Sequence, residues 1–361
     1  MRILFSAGEA SGDLYAASIA TELLNLDPSL RIGGIGGTRF SQIANEPLIA
    51  DSSNWGAMSV IKSIRKGFSI LPYYRAIKRA FHVGEPGIFV PIDFGFMNLK
   101  LCRAAKEAGW KVVYFVPPGS WRRDRQGADI PVLTDAVVTP FPWSYEILKQ
   151  MGANVYFFGH PLKQIHKVLI ETPFERKGLA VLPGSRESEL EQLVPTLRET
   201  VKDYPGKIQL PVPKTFIPYL EKNWTRNQDD VLNGAETGTV MRALRTSEAG
   251  IVCSGTATLE AALSNTPTVV VYKVSDIVIM ELWLIRFKRP QYASQPNILL
   301  QREVVPELLQ ENFTVEKLKR TLDEIQTDAV AQRQRSAFAE ISELLGGDDC
   351  ITKTAELILS L

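Results

Sequence analysis

The chain has 361 residues, enough for two domains of ordinary size. Lys and Arg number 41 against 40 Asp and Glu, and a net charge of +1 argues against a nucleic-acid binder that relies on a large basic excess. A composition 45% hydrophobic and 22% charged excludes global disorder, and the three scattered cysteines make neither a disulfide framework nor a metal knuckle and suggest a reducing compartment.

The opening, MRILFSAGEASGD, lacks the long apolar stretch and cleavage site of a secretory leader. Ile3–Phe5 is read as a strand, Gly8–Asp13 as a turn and Leu14–Leu26 as a helix with apolar residues at helical spacing. Arg31–Ile35 is a second strand, and GIFVPIDF, from Gly87, is a continuous apolar strand with an acid near its end. Leu99–Ala108 reads as a helix, WKVVYFV as a strand, Ala136–Thr139 as a strand, Ser144–Met151 as a helix and Val155–Phe158 as a strand. The pattern restarts with the strand Gly178–Leu182, the turn Pro183–Arg186 and the helix Glu187–Asp203. Ile208–Val212, Gly250–Val252 and Thr268–Tyr272 are strands, Ala257–Ser264 is helical, and so are Phe313–Leu345 and Thr352–Leu361. The most apolar late run, Val278–Phe287, is broken by Glu281 and Arg286 and is far short of the ~20 residues that span a bilayer, so the chain is expected to be soluble or on a membrane surface.

Apolar strands alternating with helices predict two doubly wound α/β domains with parallel sheets, meeting near Pro161–Lys177 and facing each other across a ligand cleft. Residues 1–165 form the first, 166–330 the second, and 331–361 are C-terminal helices packing back on the first.

Two turns have the form of anion sites. Pro183-Gly184-Ser185-Arg186 joins a strand to a helix, so glycine admits a ligand, the helix start offers N–H groups, and Arg186 adds a charge-assisted contact. An ordinary turn with a serine cap reads equally well. Ser254-Gly255-Thr256 repeats the logic, and Glu260, one turn into the helix, is suited to two ribose hydroxyls or else to the helix dipole. Two such turns in one domain favour a nucleoside diphosphate, although neither fits G-x-x-x-x-G-K-S/T or the strict G-x-G-x-x-G.

In the first domain, Asp93 ends an apolar strand where a carboxylate is costly without a task, which suggests a general base; a turn-capping Asp is the alternative. Glu9, Ser11 and Asp13 are candidates to orient a sugar, with Ser11 or Asp13 equally readable as helix caps. His160, in Gly-His-Pro, is a candidate base or phosphate contact, or a structural hinge residue. Three histidines and no H-E-x-x-H make zinc improbable. Residues 55–81 interleave apolar side chains, including Met58, Ile61, Phe68, Ile70 and Leu71, with Lys62, Arg65, Lys66, Arg75, Lys78 and Arg79, without one acid. That mixture suits an anionic lipid surface, or amphipathic helices with a solvated basic face.

The ordered set AGEASGD (from Ala7), Ile92-Asp93, Phe158-Gly-His160, LPGSRESELE (from Leu182), SGTATLEAAL (from Ser254), PTVVVYK (from Pro267) and PNILLQREVVPELLQ (from Pro296) resembles the lipid-A-disaccharide synthase family, glycosyltransferases of the GT-B fold. The resemblance spans nearly the whole chain. It implies that Gly184, Ser185, Arg186, Ser254, Gly255, Thr256, Glu260 and Asn297 serve a UDP-sugar, that Asp93 is the essential acid with His160 as the next candidate, and that the segment after Trp55 is a membrane-facing, acyl-binding surface. Three acceptor-side stretches depart from the family pattern. Phe96 stands where a second Asp is usual, Pro118–Arg123 replaces Ser-x-W-A-W-R, and Met58–Ser63 replaces M-G-apolar-x-E-V.

The implied reaction joins UDP-2,3-diacylglucosamine to 2,3-diacylglucosamine 1-phosphate in an inverting β-1,6 linkage, releasing UDP, without a metal or other cofactor. The implied setting is cytoplasmic, peripheral at an anionic inner membrane face, with no nucleic-acid partner and with a homodimer formed through the C-terminal helices. Alternatives are a diverged glycosyltransferase with another lipid or glycan acceptor, a non-catalytic nucleotide-sugar-binding homologue, and a UDP-sugar epimerase of similar fold.

Overall fold

Short apolar runs cut off by glycine, proline or a polar turn become strands, and every pairing among them is parallel. The computed structural model describes residues 1–53, 55, 71–117, 129–224, 229–234, 236–284 and 290–361, with backbone alone at 96, 229–230, 232–233 and 281–284. The first sheet contains β1 (Arg2–Ala7), β2 (Arg31–Gly36), β3 (Leu48–Asp51), β4 (Ile88–Ile92), β5 (Lys111–Phe115), β6 (Ala136–Val138) and β7 (Val155–Tyr156). The second contains β8 (Leu179–Leu182), β9 (Ile208–Val212), β10 (Asp229–Asn233), β11 (Ala249–Cys253), β12 (Thr268–Tyr272) and β13 (Glu307–Leu309). The first sheet runs β3-β2-β1-β4-β5-β6-β7 and the second β10-β9-β8-β11-β12-β13. Each sheet therefore grows one way from its first strand and then reverses, between β1 and β4 and between β8 and β11. This is the doubly wound order.

The central strands are buried on both faces: β4, β8 and β11 have no exposed residue along their length. Helices supply both covers. Ala10–Leu26 buries Tyr15, Ala16, Ile19, Ala20 and Leu23, a helical stripe, against the first sheet. Leu190, Leu193, Val194 and Leu197, from the helix Glu187–Thr200, join Leu179 and Val181 on one face of the second sheet, while Ala180 and Leu182 meet Leu244 and Ala261 on the other.

The chain divides into two units. Among the described residues, one comprises those up to Ile165 together with Leu345–Leu361, the other His166–Leu344. The stretch read as one helix over 313–345 is two, Val315–Ile325 and Asp328–Leu344, and the second stays in the His166–Leu344 unit, where Gln334 bonds the backbone of Thr268. The final helix, Cys350–Ser360, lies against Ala10–Leu26. Gln164 caps its start by accepting from Ile351 N (2.6 Å) and Thr352 N (3.2 Å), and Thr352 Oγ1 donates to Glu22.

β1 and β2 run so close that a side chain at Gly34 would strike the carbonyl oxygen of Phe5, and Gly34 has a φ of +125°. Both features demand glycine. Gly34→Ala is expected to destabilise the first unit by on the order of 3 kcal/mol, measured by denaturant unfolding. An unchanged midpoint would show that the two strands can part at no cost.

Candidate active site

A strand buried on both faces can place ionisable groups only at its ends, and in doubly wound sheets the carboxyl ends at the reversal point are where ligands bind. In the first sheet those ends are Gly8-Glu9 after β1 and Asp93 after β4. In the second they are Pro183–Arg186 after β8 and Ser254–Thr256 after β11. Each turn singled out for chemistry in the sequence thus lies at a reversal point of its own sheet.

Asp93 and Phe94 both adopt the left-handed conformation, with φ of 45° and 50°. Two successive non-glycine residues there are costly and need outside support. Asn98, fully buried, supplies it: its Nδ2 donates to the carbonyls of Asp93 (2.8 Å), Ile92 (3.1 Å) and Ser6 (3.1 Å), and its Oδ1 accepts from Ser6 Oγ (2.6 Å). Tyr114 Oη donates to the Asp93 carbonyl as well (3.0 Å), and Asp93 N–H continues the sheet to Phe115 O. The Asp93 backbone is therefore held on three sides. Its carboxyl pKa is pushed up to about 6, first by burial and then by the charge of Glu9, although the Phe94 N–H opposes the shift. Asn98 and Tyr114 were not legible as support; the only hint was a polar residue within an otherwise apolar helix face.

The Phe94 ring lies directly over Gly8, where a side chain would collide with it. Trp55 is 5.9 Å from Phe94 and 5.6 Å from Tyr73, ring centre to ring centre, so an aromatic cluster borders the end of β4. Residues 71–80 are helical; Ile77 is buried, while Leu71 and Tyr73 are exposed beside Arg75, Lys78 and Arg79. Met58, Ile61, Phe68 and Ile70, and the divergent stretches 58–63 and 118–123, lie outside the described residues, as does the Phe96 side chain.

Two first-unit candidates have other tasks. Asp13 is not placed to orient a sugar: it is buried and accepts the N–H groups of Gly37 (2.6 Å), Arg39 (3.0 Å) and Phe40 (3.1 Å), capping the short helix after β2. His160 is not a base facing substrate: its ring is buried against Phe141, and Nδ1 accepts from Leu162 N–H (3.2 Å), capping the helix Pro161–Ile165. Glu9 stands at the start of the helix Ala10–Leu26 without capping it through its side chain, and Ser11 is half-buried in the first turn.

The two anion-type turns differ. Gly184 and Ser185 close around the protein's own carboxylate. Ser185 N and Arg186 N donate to Glu189 Oε2 (2.8 and 3.2 Å), and Arg186 Nη1 meets Glu189 Oε1 at 2.8 Å. A side chain at Gly184 would strike Glu189. The N–H groups expected to receive phosphate here are therefore taken, and the turn instead holds the Arg186 guanidinium in place. At the second turn no acceptor among the described residues takes the N–H of Gly255, Thr256 or Ala257, and the Cα of Gly255 faces open space. Thr258 Oγ1 stiffens this turn by donating to Gly255 O and accepting from Gln295 N. The Ser254 hydroxyl donates to Ala293 O (2.7 Å) rather than towards a ligand.

Glu260 presents a half-buried carboxylate, with Oε1 3.1 Å from Nε2 of the buried His166. Asn297 is not free to contact a ligand. Its Nδ2 donates to Val305 O and Glu307 Oε1, and its Oδ1 accepts from the N–H groups of Val304 and Val305, which saturates the amide inside the fold. Among the described residues no cluster of three His, Cys, Asp or Glu is arranged to hold a metal ion, and no helix is long and apolar enough to cross a membrane.

Residues 3–355 match the family model described as lipid-A-disaccharide synthetase. The chain is 30% identical to the lipid-A-disaccharide synthase of Geobacter metallireducens over 383 residues, covering all of this chain and 97% of that one. Among solved structures it is similar to a UDP-glucose:anthocyanidin 3-O-glucosyltransferase in complex with UDP (TM-score 0.65, 12% identity, 100% and 99% of the two chains). It is also similar to the UDP-GlcNAc 2-epimerase of Neisseria meningitidis bound to UDP-GlcNAc (TM-score 0.65, 13% identity, 100% of each chain). At that identity the likeness speaks for the fold alone, and the fold is GT-B.

The raised pKa of Asp93 bears on stability. A carboxyl that binds its proton more tightly folded than unfolded stabilises the protein below pH ~4, and that contribution is lost as pH rises through about 6. Asp93→Asn is expected to stabilise the protein at pH 7.5 by on the order of 2 kcal/mol relative to its effect at pH 4, followed by denaturant unfolding at both values. Equal effects at the two pH values would refute the raised pKa.

Proposed function

The chain belongs to the lipid-A-disaccharide synthetase family, and on that premise we propose that it joins UDP-2,3-diacylglucosamine to 2,3-diacylglucosamine 1-phosphate, forming a β-1,6-linked disaccharide and releasing UDP. The observation that carries the reading is the carboxylate at the reversal point of the first sheet. Asp93 is rigidly held, and its pKa of about 6 leaves it ionised at neutral pH yet basic enough to take a proton.

In this reading Asp93 accepts the proton of the attacking 6-hydroxyl as its oxygen bonds to the anomeric carbon. The bond from that carbon to the diphosphate breaks on the opposite side, which inverts the centre. The open N–H groups of Gly255, Thr256 and Ala257 and the guanidinium that Glu189 holds at Arg186 stabilise the charge gathering on the departing UDP. Glu260 takes the ribose hydroxyls, and Glu9 keeps the proton affinity of Asp93 high. The aromatic group of Trp55, Tyr73 and Phe94 supplies apolar surface beside the base, suited to acyl chains. Exposed Leu71 and Tyr73 among basic residues extend it towards an anionic membrane surface at the inner face of the cytoplasmic membrane. Phe96, in place of the family's second acid, favours one variant of this reading, a different acylated acceptor. Assaying UDP release across a panel of acylated sugars separates the two.

Asp93→Asn keeps shape and removes the base. Turnover should fall ~10²–10⁴-fold with donor affinity little changed. The wild-type rate should decline below pH 6 as Asp93 protonates, and this limb should vanish in the variant. Near-normal turnover by Asp93→Asn would sink the mechanism.

Replacing Leu71 and Tyr73 together by serine should lower co-sedimentation with anionic vesicles severalfold while leaving the unfolding midpoint nearly unchanged, since both side chains are exposed. A large loss of stability with unchanged vesicle binding would assign this face to the interior instead.

A further inference from the structure

His166 is the first residue of the second unit and is 2% exposed. Neither of its ring nitrogens has a hydrogen-bond partner among the described residues, and both are shut off from solvent. A buried polar group left unpaired is unfavourable and calls for an explanation. The ring does not cap the helix Lys167–Glu171 that it precedes; only its backbone carbonyl takes part, accepting from Ile170 N–H. That helix is fixed from elsewhere, by Arg245 donating to the carbonyls of Leu169 and Thr172. The imidazole is therefore dispensable for the local backbone.

What the ring does face is Glu260. Nε2 stands 3.1 Å from Oε1, close enough for a hydrogen bond but out of line for one, and no other donor among the described residues reaches that carboxylate. Glu260 sits one turn beyond Gly255–Ala257, whose N–H groups are open. A glutamate can swing about three side-chain bonds, and a carboxylate that must accept from two neighbouring hydroxyls works best when its plane is fixed beforehand. A small turn of either group brings Nε2–H into line with Oε1, as the neutral ring suffices to do, and leaves the remaining lone pairs for a ligand.

We propose that His166 is a positioning residue that holds the Glu260 carboxylate for the vicinal diol of the donor's ribose. This rests on the reading of Glu260 as the ribose acid, and the test separates the two. The affinities of the purified full-length protein for UDP and for 2′-deoxy-UDP are measured by calorimetry. The wild type should prefer UDP about tenfold, the value of a hydrogen bond to a charged acceptor. Glu260→Gln should lose most of that preference. His166→Phe, which keeps a ring and removes the donor, should reduce it to threefold or less while affinity for 2′-deoxy-UDP stays within about twofold. His166→Gln, which restores a donor, should recover part of it. A merely structural role would weaken both nucleotides alike and leave the ratio unmoved. Should His166→Phe fail to fold, His166→Met, flexible and without a donor, takes its place against His166→Gln. An unchanged ratio in the folded donor-less variant, with Glu260→Gln impaired, overturns the positioning role alone. A wild-type ratio near one, or one that Glu260→Gln leaves intact, overturns the ribose assignment and this proposal with it.

Discussion

A strand covered by helices on both faces can carry no charge along its length, and this constraint organises the whole chain. β4, β8 and β11 are apolar throughout, and the groups capable of chemistry begin at the residue where each strand stops. Because both sheets reverse order beside their first strand, the helices that follow neighbouring strands leave to opposite faces there, and the strand ends between them stay open. Asp93 and Gly255 therefore owe their accessibility to winding order. A single strand moved to the other side of β1 or β8 would cover them with a connection.

The two sheet ends meet the cost of exposure differently. At Asp93 the chain turns through two left-handed residues, an arrangement that survives because one amide, Asn98, ties β1, β4 and the turn together. The same rigidity keeps the carboxylate beside Glu9 and away from water, which raises its proton affinity. Strain and basicity thus share a cause. At β8 the N–H groups of the turn meet the buried Glu189, so the protein supplies its own anion and gains a fixed guanidinium in exchange. At β11 no internal anion is present among the described residues, and the turn remains open to an external one.

The strand and helix pattern was legible because the central strands are nearly pure apolar runs and their flanking turns carry Gly and Pro. The edges were not. Leu48–Asp51, Asp229–Asn233 and Glu307–Leu309 are short and end or begin in acids, so no period-two or apolar signal marks them; their neighbours make them strands. The break near Gln326-Thr327 was missed because no Gly or Pro marks it and apolar residues continue on both sides. Among site residues, Asp93, Arg186, Gly255 and Glu260 could be picked out by position after a strand. The partners that make them useful, Asn98, Glu189 and His166, could not, since each lies 3 to 94 residues away along the chain and is recognised only through a contact.

Hydrogen-bond accounting then sorts the family motifs in a way that motif membership cannot. Asn297 lies in one of the most recognisable stretches of the chain, yet all four of its amide bonding positions are filled by Val304, Val305 and Glu307, and Glu307 also takes the N–H groups of Ala293 and Ser294. Asp13 is filled by three backbone N–H groups in the same way. Such residues matter because the loops they hold would otherwise bury bare backbone. Gly255 and Glu260 stand in an equally recognisable stretch with bonding capacity left over. A substitution at Asn297 or Asp13 should therefore surrender stability first and activity only as a consequence, whereas one at Glu260 should surrender affinity from a fold that stays intact. The same motif pattern thus covers two kinds of residue, and what divides them is whether the folded chain has already satisfied the polar atoms or left them for a ligand.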